Sequence, residues 1–217
     1  MENFDKYEEK GTYHWEKYRE DHMYREKTNK IIEHVGEDKK VLDVGCGDGL
    51  ITEKIGTNNH IVGIDNSDKG IKLARKKCNN VNNLIKTDAL DLPFEDKKFD
   101  VVVLADVIEH IKEEKRLIKE IARVLKKRGK IIITTPLKRE VIEEHHVREY
   151  TEEELRESLS SHFEVDSIEI IEEKKFSRKK KIGRFISRFF PDKILPKKVR
   201  SRLSKNKTII YKGDKKC

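Results

Sequence analysis

The sequence lacks the features of a membrane-spanning or disulfide-stabilised protein. No apolar run approaches the ~18 residues of a membrane span, and charge from Glu2 onward argues against a secretory signal. Cys46, Cys78 and Cys217 are odd in number and have no C-x-x-C spacing, which argues against a disulfide framework and a structural zinc site. We therefore expect a cytoplasmic protein with free thiols.

Charge is abundant and unevenly distributed. Charged residues make up 41% of the 217 residues, and the net charge is +8. Residues 174–217 contain 18 basic and 2 acidic side chains, so this segment carries +16 and residues 1–173 carry −8. The basic character therefore belongs to the C-terminal segment, and the chain length suits one domain with a sizeable core.

The segment 41–49 gives the strongest local signal. Its apolar start predicts a buried parallel strand, and the following glycines let a ligand approach the backbone. Their spacing is G-x-G-x-G; a dinucleotide-binding loop of the G-x-G-x-x-G type would need glycine where Leu50 stands. Asp65 ends the next apolar strand, where a carboxylate can accept hydrogen bonds from ribose hydroxyls.

This glycine spacing, with Asp43 two residues before it, resembles the cofactor loop of the class I S-adenosylmethionine-dependent methyltransferases. Segments 86–90, 99–110 and 129–136 follow in the order of that family. The cofactor carries cationic sulfonium and ammonium groups beside a ribose, which explains a loop accompanied by carboxylates. The resemblance covers residues 41–136 and implies an enzyme that uses S-adenosyl-L-methionine.

The resemblance also implies roles for individual residues around the cofactor. The loop glycines would follow the methionine part, and the acids would orient the loop or bind the ribose and adenine. These residues are Asp43 as the loop-orienting acid, Gly45, Gly47 and Gly49 along the methionine, Asp65 at the ribose, Asp88 and Ala89 at the adenine, and Ala105 with Asp106 beside the methionine tail.

A second motif, Asp106-x-x-Glu109-His110, follows the fourth predicted strand. It resembles the E-x-x-E-H cluster of the small-RNA 3′-terminal 2′-O-methyltransferases and of some ubiquinone-pathway O-methyltransferases, with aspartate at the first position. Three interpretations stay open. Mg²⁺ or Mn²⁺ could be bound by Asp106, Glu109, His110 and His146; His110 could be a direct base, with Glu109 and His146 as further catalytic candidates; or the motif could be structural.

Hydrophobic periodicity predicts a doubly wound α/β fold, because predicted strands alternate with predicted helices. The resemblance implies a Rossmann-like, mostly parallel sheet of seven strands that ends in an antiparallel hairpin. The predicted strands are 41–44, 60–65, 81–86, 99–105, 130–135, 163–171 and 207–212, and the predicted helices are 16–35, 50–55, 68–78, 111–126 and 151–160. Residues 136–150 form a polar loop long enough to carry function.

The sequence predicts an N-terminal aromatic and helical arm, residues 1–35, before a methyltransferase domain, residues 36–217. The arm is expected to pack on the domain or to cover the substrate mouth. Within the domain, a basic amphipathic insert at 174–205 has one apolar helical face, formed by Ile182, Phe185, Ile186, Phe189 and Phe190. This insert could be a lid, a peripheral membrane contact through 178–205, a nucleic-acid contact or a solvated face.

These patterns predict methylation of a hydroxyl on a small-molecule, lipid or glycan acceptor. One alternative is an RNA 3′-terminal ribose 2′-O-methyltransferase with a divalent metal, which the Glu109-His110 motif and the basic segment favour. A non-enzymatic alternative is a Rossmann-like protein that binds the cofactor without transfer. The acceptor is expected to contact the arms of the fold, at 1–35, 136–150 and 172–205.

Overall fold

The computed structural model of the protein describes residues 6–81, 83–139, 143–172 and 207–216. The basic insert predicted at 174–205 lies outside the described residues, as does Cys217. The helix and the binding partners predicted for the insert therefore stay predictions, and so does the division into an arm and a domain at residue 35. Within the described ranges, no helix combines the length and the apolarity that crossing a bilayer requires.

Seven strands form one sheet in the order β3-β2-β1-β4-β5-β7-β6. Strands β1 to β5 pair in parallel, and β7 runs antiparallel to both β5 and β6. The predicted mixed α/β fold with an antiparallel hairpin at one end is confirmed, with β4 in the centre. The strands are β1 Lys40–Val44, β2 His60–Asp65, β3 Leu84–Lys86, β4 Phe99–Ala105, β5 Leu125–Pro136, β6 Phe163–Glu172 and β7 Lys207–Lys215.

Helices cover both faces of the sheet. Alternate side chains of β4 point to opposite sides: Val101 and Val103 join the core under α3, α4 and α5, whereas Val102 and Leu104 join the core under α6 and α7. A strand covered on both faces is a nearly continuous apolar run, as β4 is from Val101 to Ala105. The helices are α1 Lys6–Lys10, α2 Tyr13–Glu20, α3 His22–Val35, α4 Leu50–Gly56, α5 Asp68–Lys77, α6 Glu114–Val124 and α7 Glu152–Leu159.

The N-terminal helical region is divided at Asp21, so the single helix predicted at 16–35 is wrong. Asp21 has an extended backbone (φ −100°, ψ 114°), and its carboxylate accepts a hydrogen bond from the backbone N–H of Tyr24 at 3.1 Å. An aspartate in this role begins a new helix. Gly36 ends α3 as predicted, with φ of 74°.

Three further boundaries differ from the predictions. The helix predicted at 111–126 covers only Glu114–Val124, after a 3₁₀ turn at Ile108–His110. Strand β5 begins at Leu125, which is extended and pairs with Phe99, so the apolar pattern passes from helix to strand without a polar break. The strand predicted at 81–86 is shorter because only Leu84–Lys86 pairs with β2. The capping box of Thr151 and Glu154 at the start of α7 is confirmed.

Candidate active site

The glycine loop follows β1 and leaves no room for side chains at its first two glycines. Gly45 and Gly47 have positive φ angles of 76° and 54°. A Cβ atom would lie 2.4 Å from Val107 Cγ2 at Gly45 and 1.9 Å from the Tyr7 hydroxyl at Gly47. Only glycine combines this backbone conformation with such close approach. The loop is therefore built for close contact with other groups.

Asp65 at the end of β2 is fixed by the backbone on both sides. Its Oδ2 accepts a hydrogen bond from the N–H of Gly47, and its Oδ1 accepts one from the N–H of Ser67, both at 2.8 Å. The side chain is nearly buried. These bonds hold a carboxylate at the carboxyl edge of the sheet and tie it to the glycine loop.

Asp43 lies beneath the glycine loop. It is buried, and its Oδ2 accepts a hydrogen bond from Thr52 Oγ1 at 2.6 Å. Burial raises the pKa of Asp43 to about 7; the Thr52 hydrogen bond opposes this rise and nearby Asp65 adds to it. Asp43 therefore connects β1 to α4 from inside the core.

A pocket of about 440 Å³ opens at the carboxyl ends of the strands. Six predicted site residues line it together with Tyr7, Val107 and His145: Gly45, Asp65, Asp88, Ala89, Asp106 and His110. Gly49 instead begins α4, where a Cβ would lie 2.5 Å from Cys78 Sγ, and Ala105 packs against the core under α3. The volume is in the usual range for small-molecule pockets.

The N-terminal helices are joined to the glycine loop through Asp48, a residue that sequence reasoning missed. His14 donates its backbone N–H to Asp48 Oδ2 at 2.8 Å and places its ring Nδ1 3.0 Å from Oδ1. Trp15 Nε1 donates to the Asp48 carbonyl at 2.9 Å, and Tyr7 is buried over Gly47. We call the contacts of Tyr7, His14 and Trp15 with the glycine loop the arm latch.

Asp106, after β4, is engaged by a second residue that sequence reasoning missed. The buried Lys27 ammonium pairs with Asp106 Oδ2 and lies 4.7 Å from the centre of the Tyr24 ring, while Thr134 Oγ1 donates to Asp106 Oδ1 at 2.9 Å. Burial alone would raise the pKa of Asp106, but Lys27 outweighs it and the pKa is lowered. Asp106 is therefore an ionised carboxylate with partners on both oxygens.

Glu109, His110 and His146 form a cluster in which one candidate ligand atom of each lies within 4.8 Å of the others. The two imidazole ring centres are 4.9 Å apart. The structure brings together three of the four predicted metal ligands, and Asp106 is not part of this group. The ring Nδ1 of His110 lies 2.9 Å from the His145 carbonyl oxygen.

Glu109 is a buried acid with one unsatisfied oxygen. Its Oε2 accepts a hydrogen bond from Thr135 Oγ1 at 3.2 Å, whereas Oε1 has no hydrogen-bond partner among the described residues. Burial, and secondarily the charge of Asp106, raises the pKa of Glu109 to about 8. A buried carboxylate with an orphan oxygen requires a proton or a cation, and a carboxylate beside two imidazoles is a donor set that fits a divalent cation.

Comparison with known proteins places this geometry in a family. Residues 42–133, which include the glycine loop and the Asp65, Asp88 and Glu109-His110 positions, match the family model described as a methyltransferase domain. This match covers 92 of the 217 residues, and over these residues the chain has the pattern of a methyltransferase domain. The crystal structure of the N-methyltransferase NodS from Bradyrhizobium japonicum, in complex with S-adenosylhomocysteine, has the same fold as this chain. The TM-score is 0.68 at 14% identity, over 92% of this chain and 90% of NodS.

Two curated methyltransferases match over the same region. A ubiquinone biosynthesis O-methyltransferase from Pelagibacter ubique is 37% identical over 101 residues, which cover 44% of this chain and 41% of the relative. A demethylmenaquinone methyltransferase from Staphylococcus carnosus is 32% identical over 113 residues, 49% of this chain and 46% of the relative. The chain thus spans less than half the length of each of these relatives.

Proposed function

We propose that this protein transfers a methyl group from S-adenosylmethionine to a hydroxyl group of a small-molecule acceptor. One observation carries the proposal: Gly45, Asp65 and Asp88 line the same pocket as His110, whose imidazole belongs to the cluster with Glu109 and His146. A cofactor site and a group able to take up a proton therefore share one cavity.

The chain's own residues account for cofactor binding. S-adenosylmethionine supplies an electrophilic methyl group on its sulfonium. We assign the methionine part to the glycine loop, the ribose hydroxyls to Asp65, and the adenine to Asp88 and Ala89. The carboxylate side chains of the pocket also complement the cationic sulfonium and ammonium groups, which makes the site unsuited to a pyrophosphate.

A hydroxyl acceptor has to lose its proton during transfer, and we assign that proton to His110. The His145 carbonyl can only accept, so the neutral His110 ring donates from Nδ1 and carries a lone pair on Nε2. His110 lines the pocket, whereas Glu109 is buried behind it. In this proposal the His110 imidazole takes up the proton of the acceptor hydroxyl, and Glu109 and His146 support that imidazole.

A divalent cation is a second way to activate the hydroxyl, and the unsatisfied Glu109 Oε1 favours it. Glu109, His110 and His146 would be its ligands, and the cation would lower the pKa of an acceptor hydroxyl. Two imidazoles with one carboxylate suit Mn²⁺ better than Mg²⁺, which prefers oxygen ligands.

The names of the matched relatives guide the choice of acceptor. They refer to ubiquinone biosynthesis and to demethylmenaquinone. We therefore propose a hydroxylated ring compound of the quinone type before lipid, glycan or RNA acceptors. A lipid surface or RNA would involve the insert, which stays a sequence prediction.

The proposal is tested by an acceptor screen with S-adenosylmethionine labelled in the methyl group, on quinols, lipid extract and short RNAs side by side. We expect label in quinol-type acceptors and a loss of about 10²-fold or more in His110→Ala, the usual size of general-base catalysis. His60→Ala, at an exposed histidine, is the matched control.

Each alternative predicts a different result. If EDTA abolishes turnover and Mn²⁺ restores it, the acceptor hydroxyl is activated by a metal held by Glu109, His110 and His146 and not by His110 alone. Cofactor binding without label transfer to any acceptor would contradict the enzymatic proposal and identify a binding protein.

A further inference from the structure

His146 is held by a buried ion pair that no sequence motif marks. Its ring Nδ1 lies 3.0 Å from Glu149 Oε1. Glu149 Oε1 also accepts from Arg139 Nη2, and its Oε2 accepts from the Arg139 backbone N–H at 3.1 Å and from Arg139 Nε at 3.3 Å. The Glu149 side chain is fully buried, and His146 is 7% exposed. Every donor around Glu149 therefore points at one of its two oxygens.

Both oxygens of Glu149 accept hydrogen bonds, from the Arg139 guanidinium and backbone N–H and from the His146 ring. Donors on both oxygens, including a guanidinium, are the surroundings of a carboxylate and not of a carboxylic acid. An ionised carboxylate can only accept hydrogen bonds. The neutral His146 ring must therefore carry its proton on Nδ1 and its lone pair on Nε2.

The loop that carries both residues is fixed to the catalytic cluster. The backbone N–H groups of Val147 and Arg148 donate to the carbonyl of Glu109 at 2.8 and 3.3 Å, and Arg148 pairs with Glu114 at the start of α6. The ring of His146 thus lies beside His110 on a loop whose backbone is bound to the third member of the cluster. The only other carboxylate paired with His146 among the described residues is that of Glu143, which is 60% exposed and lies 3.6 Å from Nε2.

We infer that Glu149, held in place by Arg139, is a positioning residue that fixes His146 with its Nε2 lone pair available to the Glu109–His110–His146 cluster. This inference rests on the proposed function, because it gives His146 a role in that cluster. His110, anchored through Nδ1 on the His145 carbonyl, has the same arrangement. Anchoring one ring nitrogen on an acceptor is how proteins prepare an imidazole to bind a cation or a proton through the other.

The test is the tautomer of His146, read from side-chain ¹⁵N chemical shifts of histidine-labelled protein without cofactor, acceptor or metal. We expect a single Nδ1–H tautomer in the wild-type protein. In Glu149→Gln the side-chain amide has only one acceptor oxygen for the three Arg139 donors and the His146 Nδ1–H. The hydrogen bond that holds the His146 ring therefore weakens, and the Nε2–H tautomer of His146 becomes populated. The control Glu143→Gln, which changes the exposed carboxylate three residues before His146, leaves the tautomer unchanged.

A second readout connects this tautomer to the reaction. Once an acceptor is known, Glu149→Gln lowers kcat by about 10- to 100-fold, the usual effect of removing such a partner, while the Kd for S-adenosylmethionine stays unchanged. An Nε2–H tautomer in the wild type, or an unaltered tautomer in Glu149→Gln, overturns the inference even if the protein is an active methyltransferase. If Glu149→Gln does not fold, the wild-type tautomer and the Glu143→Gln control decide the question. A confirmed tautomer with unchanged turnover in His146→Ala would refute the role of the cluster instead.

Discussion

Replacing Glu109 with glutamine should remove a loss of folding stability that the wild-type protein undergoes as the pH rises. The Glu109 side chain is fully buried, and its pKa is raised from 4.5 to about 8 by burial and by Asp106. Because the folded-state pKa is above the unfolded one, the protonated acid stabilises the fold fully below about pH 4.5, and this contribution is lost as the pH rises towards 8. Glutamine has the shape of the protonated acid and does not titrate.

The size of the effect follows from linkage. One proton changes the unfolding free energy by at most ~1.4 kcal/mol per pH unit between the two pKa values. From about pH 5 to about pH 8, the wild type should therefore lose roughly 3 kcal/mol relative to Glu109→Gln. Comparing the two proteins at each pH removes the contributions of the other titrating groups, including Asp43.

Urea unfolding at a series of pH values in EDTA measures this difference. The exposed Glu153→Gln variant is the control and should follow the wild type at every pH. With Mn²⁺ in excess, the gap should close if Glu109 is a ligand, because the cation then replaces the proton at its unsatisfied oxygen. Parallel profiles for the wild type and Glu109→Gln in EDTA would refute the raised pKa.

Two further predictions concern the cofactor pocket. Asp65→Ala should weaken S-adenosylmethionine binding by about 1.5–3 kcal/mol in calorimetry, because a charge-assisted hydrogen bond is lost. The control Asp91→Ala, at an exposed residue, should bind the cofactor as the wild type does. Equal cofactor affinities of Asp65→Ala and the wild type would show that Asp65 is not part of the site. Asp48→Ala should release the arm latch, so that amide hydrogen exchange accelerates in α2 (Tyr13–Glu20) more than in α4 (Leu50–Gly56). Unchanged exchange in α2 would show that the latch does not hold this helix.

The sequence was sufficient for the sheet and for one wall of the pocket, because both depend on local patterns. Apolar runs place β1, β2 and β3, and parallel strands bring their carboxyl ends to one edge of the sheet, which is why Gly45, Asp65 and Asp88 could be predicted together. Lys27 could have been found, since it lies at helical spacing with Tyr24 and Ile31 on the buried side of α3.

Other parts of the site depend on tertiary contacts that no local pattern encodes. Glu149 is one charge in a polar loop, and its role arises only when Arg139 folds back across ten residues and His146 turns towards it. Asp106 looked like a ligand by spacing, but its partner Lys27 is 79 residues away along the chain. The residues around Asp21 have a continuous helical pattern, but the Asp21 carboxylate caps α3 and so separates it from α2.

The arm latch has a consequence for how this protein can diversify. Its contacts join residues 33 to 40 positions apart, and they rest on the backbone turn expected to carry the cofactor. Substitutions in the first helices that adapt the protein to a new acceptor would therefore also shift the glycine turn, so that acceptor preference and cofactor affinity are inherited together. A fragment starting at Gly36 would retain every family motif and lose Tyr7, His14 and Lys27. The contacts of the arm latch thus make the arm and the glycine turn structurally interdependent.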